Sequence, residues 1–327
     1  MSEKGRGNFL SGGYKMDIQY LLWLQEWRNA TNNALTPFFE QLSLFGVRDI
    51  LLLPAFIYWC IDKRSGMFIF FSYKLSQTFN SIAKLTACIY RPWVRDPRII
   101  PAGEAIKTAG GYSFPSGHTM MATPLYGGLA CVTKNKFLRC LFVVLILVTA
   151  FSRNYLGVHT PQDVIVGTLL GVLSIYIGQK VFAYLDKHPE KDIHVMIISA
   201  LMGILTLVYV TYKPYHVDYT ADGKLLVDPV KMQIDSWGDA GAFASFALAW
   251  FIESRFVKFK PTGINAKGII LCIIGMIPLH WIIWNLGGIM QGIFGAHVGK
   301  LASKTVILFY IVALWPIVIK ICSGKKE

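Results

Sequence analysis

The sequence predicts an all-α fold, that of a polytopic helical membrane protein with about nine transmembrane helices. Of its 327 residues, 54% are hydrophobic and only 16% are charged, whereas about a quarter of the residues of a typical soluble protein are charged. Long apolar runs such as 142–150, 195–210 and 269–283 indicate a bilayer as the surrounding solvent. No long polar segment divides the chain, so we expect one multi-helix membrane domain.

The amino-terminal region is predicted to precede the first transmembrane helix. Residues 1–15 are Gly-rich and polar, lack a signal-peptide pattern and are expected to form a flexible tail. Residues 16–46 are rich in Trp, Phe and Leu, are interrupted near residues 29–33, and are too polar to span a bilayer. We therefore expect interfacial amphipathic helices over 16–46. We expect this region to be followed by a catalytic core over 47–185 and by additional transmembrane helices over 186–327.

The predicted transmembrane helices come in a regular order with loops that alternate in charge. Lys and Arg are concentrated around 63–64, 134–139, 187–191 and 255–267, and at the carboxyl terminus. Because cytoplasmic loops carry an excess of these residues, the opposite loops should face away from the cytoplasm. We expect a location in the plasma (inner) membrane. The nine predicted spans are 47–62, 66–88, 117–133, 137–152, 159–184, 192–212, 238–254, 267–285 and 304–321.

The placement of the basic residues, which give a formal charge of +13, and of the six cysteines argues against nucleic-acid-binding, metal-binding and redox proteins. The charge follows the loop pattern and forms no basic stripe with a nucleic-acid-reading motif, so nucleic acid is not an expected partner. The cysteines lie within or at the ends of apolar segments and show no CxxC spacing. They are therefore predicted to be small buried hydrophobic residues without a metal or redox role.

Three short motifs stand at the ends of predicted helices. Two transmembrane helices separate the second motif from the third, so the chain returns to the same face of the bilayer. All three motifs are therefore expected to converge on the side away from the cytoplasm. They are Lys84-x6-Arg91-Pro92, Pro115-Ser116-Gly117-His118, and Ser152-Arg153-x5-His159-x3-Asp163.

The cations and the helix start in these motifs suit a phosphoryl group. Lys84, Arg91 and Arg153 carry fixed positive charge, and the planar fork of arginine matches phosphate oxygens. Ser116 and Gly117 lie at a helix start, where backbone N–H groups favour an anion and glycine permits close approach. The sequence therefore predicts a phosphate-binding site.

The histidines supply the reactive groups. His159 and Asp163 are four residues apart at a helix start, so Asp163 can accept the Nδ1 proton and leave Nε2 free to attack. His118 then remains as a general acid for the leaving oxygen. The acids nearest the motifs are Asp96, Glu104 and Asp163, and they form no cluster that would hold a metal.

Taken together, the three motifs resemble those of the type 2 phosphatidic acid phosphatase (PAP2) superfamily of integral-membrane phosphatases. The resemblance implies that His159 becomes a phosphohistidine, with Asp163 orienting it and His118 protonating the leaving group. It also implies that no metal or other cofactor is needed. The residues implied to bind phosphate are Lys84, Arg91, Ser116, Gly117 and Arg153.

The resemblance leaves the substrate open. The predicted layout is similar to the glucose-6-phosphatase and lipid-phosphate phosphatase branches, whereas the segment 112–118 after a Gly pair looks more like bacterial lipid phosphatases. We favour a lipid phosphate or pyrophosphate, such as polyprenyl pyrophosphate, phosphatidylglycerophosphate or phosphatidic acid. The alternatives are a soluble sugar phosphate, a non-catalytic lipid transporter and an inactive relative.

The second span and the last four spans carry two further predictions. Lys74 lies in the middle of the second span and shares a polar helix face with Gln77, Ser81 and Lys84. An intramembrane cation usually has a partner or a function, and we expect a structural hydrogen-bond network rather than a substrate contact. The last four spans are expected to pack as core, with a substrate groove as the alternative.

Overall fold

Helices dominate the computed structural model, which describes residues 11–48, 51–215, 217–220, 223 and 225–323. Within these ranges the only extended pairing is a β-bridge between Tyr219 and Leu225. The all-α prediction is confirmed. Residues 1–10 of the predicted tail lie outside the described residues. Residues 11–15, which were predicted to belong to that tail, lie at the start of the first helix, and the flexible tail stays a prediction.

Two helices occupy the amino-terminal region. Helix α1 spans Ser11–Ala30 and helix α2 spans Thr36–Arg48. The turn between them begins at residue 31, close to the predicted interruption at 29–33. Helix α2 continues two residues beyond the predicted boundary at 46. The interfacial position of these helices stays a prediction.

The rest of the described chain is a series of helices joined by short turns and one long loop. Helix α3 continues as a π-helical turn, Ile57–Ile61, and α10 continues as a second one, Glu253–Val257. A third, Tyr310–Leu314, joins α12 to α13. Within the long loop, Ala105–Thr108 forms a 3-10 turn. The helices are α3 Leu52–Phe56, α4 Lys63–Ala87, α5 Pro92–Arg95, α6 Gly117–Val132, α7 Lys136–Tyr155, α8 Pro161–Lys187, α9 Asp192–Tyr212, α10 Pro229–Ile252, α11 Ala266–Phe294, α12 Ala296–Phe309 and α13 Trp315–Ser323.

A helix lies at each of the nine predicted positions, but fewer than nine qualify as membrane spans. Among the described residues, six helices are long and apolar enough to cross a membrane. Helix α3 is short, and α6 has only 16 residues. Helix α4 has 25 residues but carries several Lys and Arg side chains. The six candidates are Lys136–Tyr155, Pro161–Lys187, Pro189–Tyr212, Pro229–Val257, Ala266–Phe294 and Ala296–Ser323.

Helix α4 is the centre of the bundle, which explains its polar composition. Every residue over 66–78 is buried, and the helix packs against α6, α8 and α10. Its amino end is capped by Asp62, whose side chain accepts a hydrogen bond from the backbone N–H of Ser65 at 2.7 Å. It ends at Cys88 in a left-handed conformation with φ 48°. Polar side chains on α4 therefore face protein and not lipid.

Glycines let α8 approach its neighbours closely. A Cβ atom at Gly171 would lie 2.6 Å from the Cβ atom of Thr123 on α6. A Cβ atom at Gly178 would lie 2.3 Å from the hydroxyl of Ser72 on α4. Small residues at such positions allow membrane helices to pack backbone against backbone. This packing fixes the start of α8 beside the start of α6.

The outward faces of the bundle are apolar. Leu147 on α7, Leu205 on α9 and Ile277 on α11 are each at least 60% exposed. Large exposed apolar faces are unusual on a soluble monomer but suit helices in contact with lipid tails. They agree with the apolar composition of the six candidate spans.

The carboxyl-terminal helices approach the same end of α4 that carries the motifs. Helix α10 starts at Pro229, where the Asp228 side chain accepts from the backbone N–H groups of Val230 and Lys231. It packs against α4, α9 and α12. The first turns of α10 and α12 therefore lie beside the end of α4.

Candidate active site

The imidazole of His159 is held by the first turn of α8. Thr160 caps this helix, and its hydroxyl and the Asp163 carboxylate form a reciprocal capping box. The same Asp163 Oδ2 lies 3.2 Å from His159 Nδ1 and accepts from the backbone N–H of Thr160 at 2.9 Å. The Ser113 hydroxyl also donates to it. Asp163 therefore serves both as a helix cap and as the partner of Nδ1, which leaves Nε2 on the opposite side of the ring.

Backbone contacts join the second and third motifs. The N–H of Ser116 donates to the carbonyl of Asp163 at 2.9 Å. The side-chain amide of Asn154 donates to the carbonyl of His159, also at 2.9 Å. Between α7 and α8 the chain turns at Gly157, whose φ of 72° favours glycine. The two helix starts are thus connected directly through their own backbone groups.

Arg91 contacts the free nitrogen of His159. Its Nη1 lies 2.8 Å from His159 Nε2 and donates to the carbonyl of Val158 at 2.9 Å. Its Nε and Nη2 donate to the carbonyls of Gly111 and Gly110 at 3.1 and 3.2 Å. Burial lowers the pKa of the guanidinium to about 10, so the group stays charged at neutral pH. Arg91 thus places a fixed cation against Nε2.

Lys84 organises the loop that leads to His118. Its ammonium donates to the carbonyls of Pro115 at 2.7 Å, Tyr112 at 3.0 Å and Ser113 at 3.3 Å. The peptide bond between Phe114 and Pro115 is cis. The ammonium lies at the end of α4, so α4 fixes the path of the loop. The charge of the Lys84 ammonium also acts on the His159 imidazole.

The charges around His159 favour its neutral form. Burial is the largest cause that lowers the pKa of His159 well below its usual value, followed by the charges of Arg91, Lys84 and Arg153. A neutral imidazole keeps the lone pair that a nucleophile needs. The site therefore holds a reactive nitrogen among fixed cations.

His118 and Gly117 open α6 on the wall of a cavity of about 280 Å³. The His118 side chain is 7% exposed, and its Nε2 has no hydrogen-bond partner among the described residues. A buried polar atom without a partner requires an explanation. Ser116 is fully buried, and its hydroxyl accepts from the Thr119 hydroxyl at 3.0 Å. The Ser116 side chain is not part of the cavity wall.

Arg153 faces a neighbouring cavity. Its guanidinium is buried, Nη1 contacts the Ser43 hydroxyl of α2, and Nε and Nη2 have no partner in the described part of the chain. The side chain lines a separate cavity of about 240 Å³ with Glu40 and Glu104. The structure therefore does not bring the Arg153 side chain to the wall that His118 and His159 share, although its charge acts on His159.

The 280 Å³ cavity, hereafter the catalytic chamber, brings together five of the eight predicted site residues. Asp163 lies behind His159, and the side chains of Ser116 and Arg153 do not line the chamber. The chamber also has carboxylates that the sequence analysis did not place near the motifs. Asp235 and Asp239 line it, whereas Asp96 and Glu104, which were predicted to be near, pair with Arg98 and Lys107 outside it. The five are Lys84, Arg91, Gly117, His118 and His159.

The missed residues come from three helices. A signal for those on α10 and α12 was present in the sequence, because Asp235 and Asp239, and likewise Lys300 and Lys304, lie one turn apart in otherwise apolar helices. Charges at membrane depth usually mark a functional site. The additional lining residues include Tyr73, Gln77 and Asn80 from α4, Asp235, Ser236 and Asp239 from α10, and Lys300 and Lys304 from α12.

The predicted polar network on α4 is confirmed. The Lys74 ammonium donates to the Gln77 side-chain oxygen at 2.8 Å. The Gln77 amide in turn donates to Asp239 Oδ1 at 3.3 Å. The network thus links the middle of α4 to α10.

The amino-terminal helix α1 supports the long loop over residues 88–116. The sequence did not predict this contact. Arg28 on α1 is buried and donates to the carbonyl of Tyr155 at 2.9 Å and to that of Ile100 at 2.7 Å. Asp17 pairs with Arg95 at 2.9 Å. Helix α1 therefore holds the 88–116 loop against the end of α7.

No described group of three or more His, Cys, Asp or Glu residues is arranged to hold a metal ion. Independence from a metal stays a prediction. The chemistry that the described side chains offer is that of a nucleophilic nitrogen, an acid–base imidazole and fixed cations. This set suits the transfer of a phosphoryl group, in which positioning and electrostatic stabilisation carry most of the catalysis.

Comparisons with known proteins point to the same chemistry. The family model for the PAP2 superfamily matches residues 65–187. An undecaprenyl-diphosphatase of Sulfolobus acidocaldarius is 30% identical over 146 residues, which cover 43% of this chain and 66% of the relative. A probable sphingosine-1-phosphate phosphatase of Dictyostelium discoideum is 30% identical over 182 residues, covering 51% of this chain and 43% of the relative.

A third relative is similar along more of its own length. A phosphatidylglycerophosphatase B of Bacillus subtilis is 25% identical over 162 residues, covering 47% of this chain and 74% of the relative. The chain thus spans between 43% and 74% of the length of these three relatives. No solved structure gives a significant match.

Proposed function

Residues 65–187 belong to the PAP2 superfamily, and on this basis we propose that the protein is a membrane phosphatase that hydrolyses a phosphate ester or pyrophosphate through a phosphohistidine. The observation that carries the proposal is the setting of His159. Asp163 occupies one ring nitrogen at 3.2 Å, and Arg91 lies 2.8 Å from the other. His159 lines the catalytic chamber together with His118.

The reaction takes place in two displacements. His159 Nε2 attacks phosphorus, the N–P bond forms, and the bond to the leaving oxygen breaks as His118 donates a proton to that oxygen. A water molecule then attacks phosphorus, His118 takes its proton, and the N–P bond breaks to release phosphate. Asp163 stabilises the charge that develops on the imidazole in both steps.

Fixed cations stabilise the transferring group. Arg91 touches Nε2, so its guanidinium lies beside any phosphorus bound there and can contact the phosphoryl oxygens. Lys84 adds charge from the end of α4, and Gly117 presents its backbone at the start of α6. Ser116 and Arg153 remain proposed phosphate-binding residues, although the Arg153 side chain lines the neighbouring cavity and acts on the chamber through its charge.

We favour a lipid phosphate or pyrophosphate as the substrate. The relatives named above are a lipid diphosphatase, a probable sphingosine-1-phosphate phosphatase and a phosphatidylglycerophosphatase. The apolar outer faces of α7, α9 and α11 support a position in the bilayer, where such substrates reside. A soluble sugar phosphate is the second candidate, since the chamber is lined by many polar groups.

The proposed topology has nine transmembrane helices and the site on the non-cytoplasmic face of the plasma membrane. Helices α3, α4 and α6 complete the set of six candidate spans. All the motifs lie at one end of the bundle, and the basic loops 63–64, 134–139 and 187–191 lie at the other. The positive-inside rule supports this orientation.

Phosphate release by the purified protein in detergent tests the proposed function. The substrates are phosphatidic acid, phosphatidylglycerophosphate, undecaprenyl pyrophosphate, sphingosine 1-phosphate and glucose 6-phosphate. We expect turnover of at least one, lost in His159→Ala and retained in His188→Ala, which changes an exposed histidine outside the chamber. Equal turnover in the two variants would contradict the role of His159.

A further inference from the structure

The wall of the catalytic chamber that faces the motifs is formed by helices outside the PAP2-matched segment. Asp235, Ser236 and Asp239 come from α10, and Lys300 and Lys304 come from α12. The match to the family ends at residue 187. This wall is therefore a feature of the carboxyl-terminal helices of this chain, and it lies where the part of a substrate beyond its phosphate would bind.

The charges of this wall are mixed and only partly satisfied. Lys300 pairs with Asp235 at 2.9 Å. Asp239 accepts one long hydrogen bond, at 3.3 Å, from Gln77. The Lys304 ammonium also lines the chamber, and its charge acts on Asp239. The wall thus presents a carboxylate acceptor and an ammonium donor beside each other.

Such a wall suits hydroxyl groups better than a second phosphate. A carboxylate is an acceptor only, so it needs a donor from its ligand. Hydroxyls can donate to a carboxylate and accept from an ammonium, whereas a fully ionised phosphate supplies no donor for Asp239. We propose that α10 and α12 form a subsite in which Asp239 and Lys304 bind a hydroxyl-bearing leaving group.

A second cavity indicates that this group is the headgroup of a lipid. The cavity has a volume of about 290 Å³ and shares Tyr73, Gln77 and Lys304 with the chamber. Beyond these shared residues its wall combines the Lys74 ammonium with the apolar side chains of Leu51, Ile283, Trp284 and Ile307. These apolar side chains lie next to the polar subsite and can contact the part of a lipid that follows its headgroup.

This proposal rests on the proposed phosphatase function and narrows its substrate to a phosphomonoester with a hydroxylated lipid headgroup. Four substrates separate the possibilities. Phosphatidylglycerophosphate has a hydroxylated lipid headgroup, and glucose 6-phosphate is hydroxylated but soluble. Phosphatidic acid is a lipid whose leaving group has no further hydroxyl. Undecaprenyl pyrophosphate carries its second phosphate directly on the transferred one, whereas the second phosphate of phosphatidylglycerophosphate lies beyond the hydroxylated glycerol. We expect the unaltered protein to prefer phosphatidylglycerophosphate.

The variant Asp239→Asn tests the subsite. Loss of a hydrogen bond to a charged group should lower kcat/KM for phosphatidylglycerophosphate about tenfold, mainly through KM. Phosphatidic acid should change less than about twofold, and undecaprenyl pyrophosphate should not lose turnover because a repulsive charge has been removed. Lys304→Met, on the facing helix, should also lower kcat/KM for phosphatidylglycerophosphate more than for phosphatidic acid, because it removes the hydroxyl's donor. The matched control is Asp186→Asn, a half-exposed ion-pair residue distant from the chamber.

The outcomes separate this proposal from the proposed function. A similar loss on all substrates, no loss in either variant with comparable melting temperatures, or a preference of the unaltered protein for undecaprenyl pyrophosphate would overturn the subsite while leaving the phosphatase intact. A preference for glucose 6-phosphate over phosphatidylglycerophosphate would overturn the lipid assignment. No turnover of any of the four substrates would overturn the subsite, and turnover of sphingosine 1-phosphate alone would still leave the phosphatase function intact.

Discussion

At the scale of single residues, the chemistry depends on which nitrogen of His159 is free. Asp163 accepts from the Nδ1 side, and it is fixed in turn by Thr160 and Ser113. The carboxylate that orients the ring is therefore also part of the cap of α8. A cap side chain typically stabilises a protein by about 1 kcal/mol, so the geometry of the nucleophile is tied to the folding of α8.

The protonation state of His159 provides a prediction at this scale. Burial and the nearby cations lower its pKa, so the imidazole should remain neutral below pH 6.5 and take up a proton only as the pH falls through the lowered value. Nitrogen-15 NMR of histidine-labelled protein can follow this, with the His159 signals identified by their loss in His159→Ala. A His159 titration midpoint at or above pH 6.5 would contradict the described electrostatics.

The sequence predicted that the three motifs lie close together, because they stand at helix ends whose order along the chain fixes their side of the bundle. The i, i+4 spacing placed Asp163 beside His159, as observed at 3.2 Å. The direction of Arg153 could not be predicted, since its guanidinium turns towards Ser43, a residue 110 positions away on α2. Asp235 and Asp239 were missed because the packing of α10 on α4 is set by the three-dimensional fold.

At the scale of elements, the close approach of α6 and α8 aligns the two histidine motifs. Gly167 and Gly171 let α8 pack against α6, and a Cβ atom at Gly167 would lie 3.1 Å from the carbonyl of Ser116. Ser116 in turn donates to Asp163. The distance between the helices therefore controls the distance between His118 and His159.

A pair of glycine variants tests this packing. Gly171→Ala would introduce a Cβ atom 2.6 Å from that of Thr123, so the helices must separate, and both the melting temperature and kcat should fall. Gly288→Ala on α11 is the control, because nothing lies within 4 Å of its added Cβ atom. Alanine there should stabilise the helix by about 0.5–1 kcal/mol. An unchanged melting temperature in Gly171→Ala would show that this contact is not limiting.

The positions of the helices along the chain were predictable, but the way in which they pack against one another was not. Every predicted span contains a helix because long apolar runs leave few alternatives in a bilayer. The sequence did not show that α4 is the buried centre, since burial on all sides is a property of the neighbours α6, α8 and α10. It also did not show that α1 holds the 88–116 loop through Arg28, a contact between distant parts of the chain.

At the scale of the whole molecule, the basic residues are concentrated at the two ends of the bundle. The cations of the motifs and the wall of α10 and α12 lie at one end, and the basic loops lie at the other. Lys107 is an exposed residue of the site end, and Lys134 is exposed at the opposite end. Orientation in a membrane decides which end meets the cytoplasm.

Labelling of intact cells tests this orientation. Single cysteines are introduced as Lys107→Cys and Lys134→Cys after the exposed cysteines Cys131, Cys140 and Cys322 have been replaced by serine. A membrane-impermeant thiol reagent should label only the Lys107→Cys protein, and both should react once the cells are opened. Labelling of only Lys134→Cys in intact cells would place the site on the cytoplasmic face.

The central claim is that a phosphoryl group passes through His159, and chemical quenching of the reaction tests it most directly. Purified protein is mixed with a substrate labelled with phosphorus-32 in the transferred group and stopped in alkali, in which an N–P bond survives. We expect labelled protein that loses its label in acid, with no labelling of His159→Ala and normal labelling of His188→Ala. Label in His159→Ala, or turnover in that variant, would contradict the account.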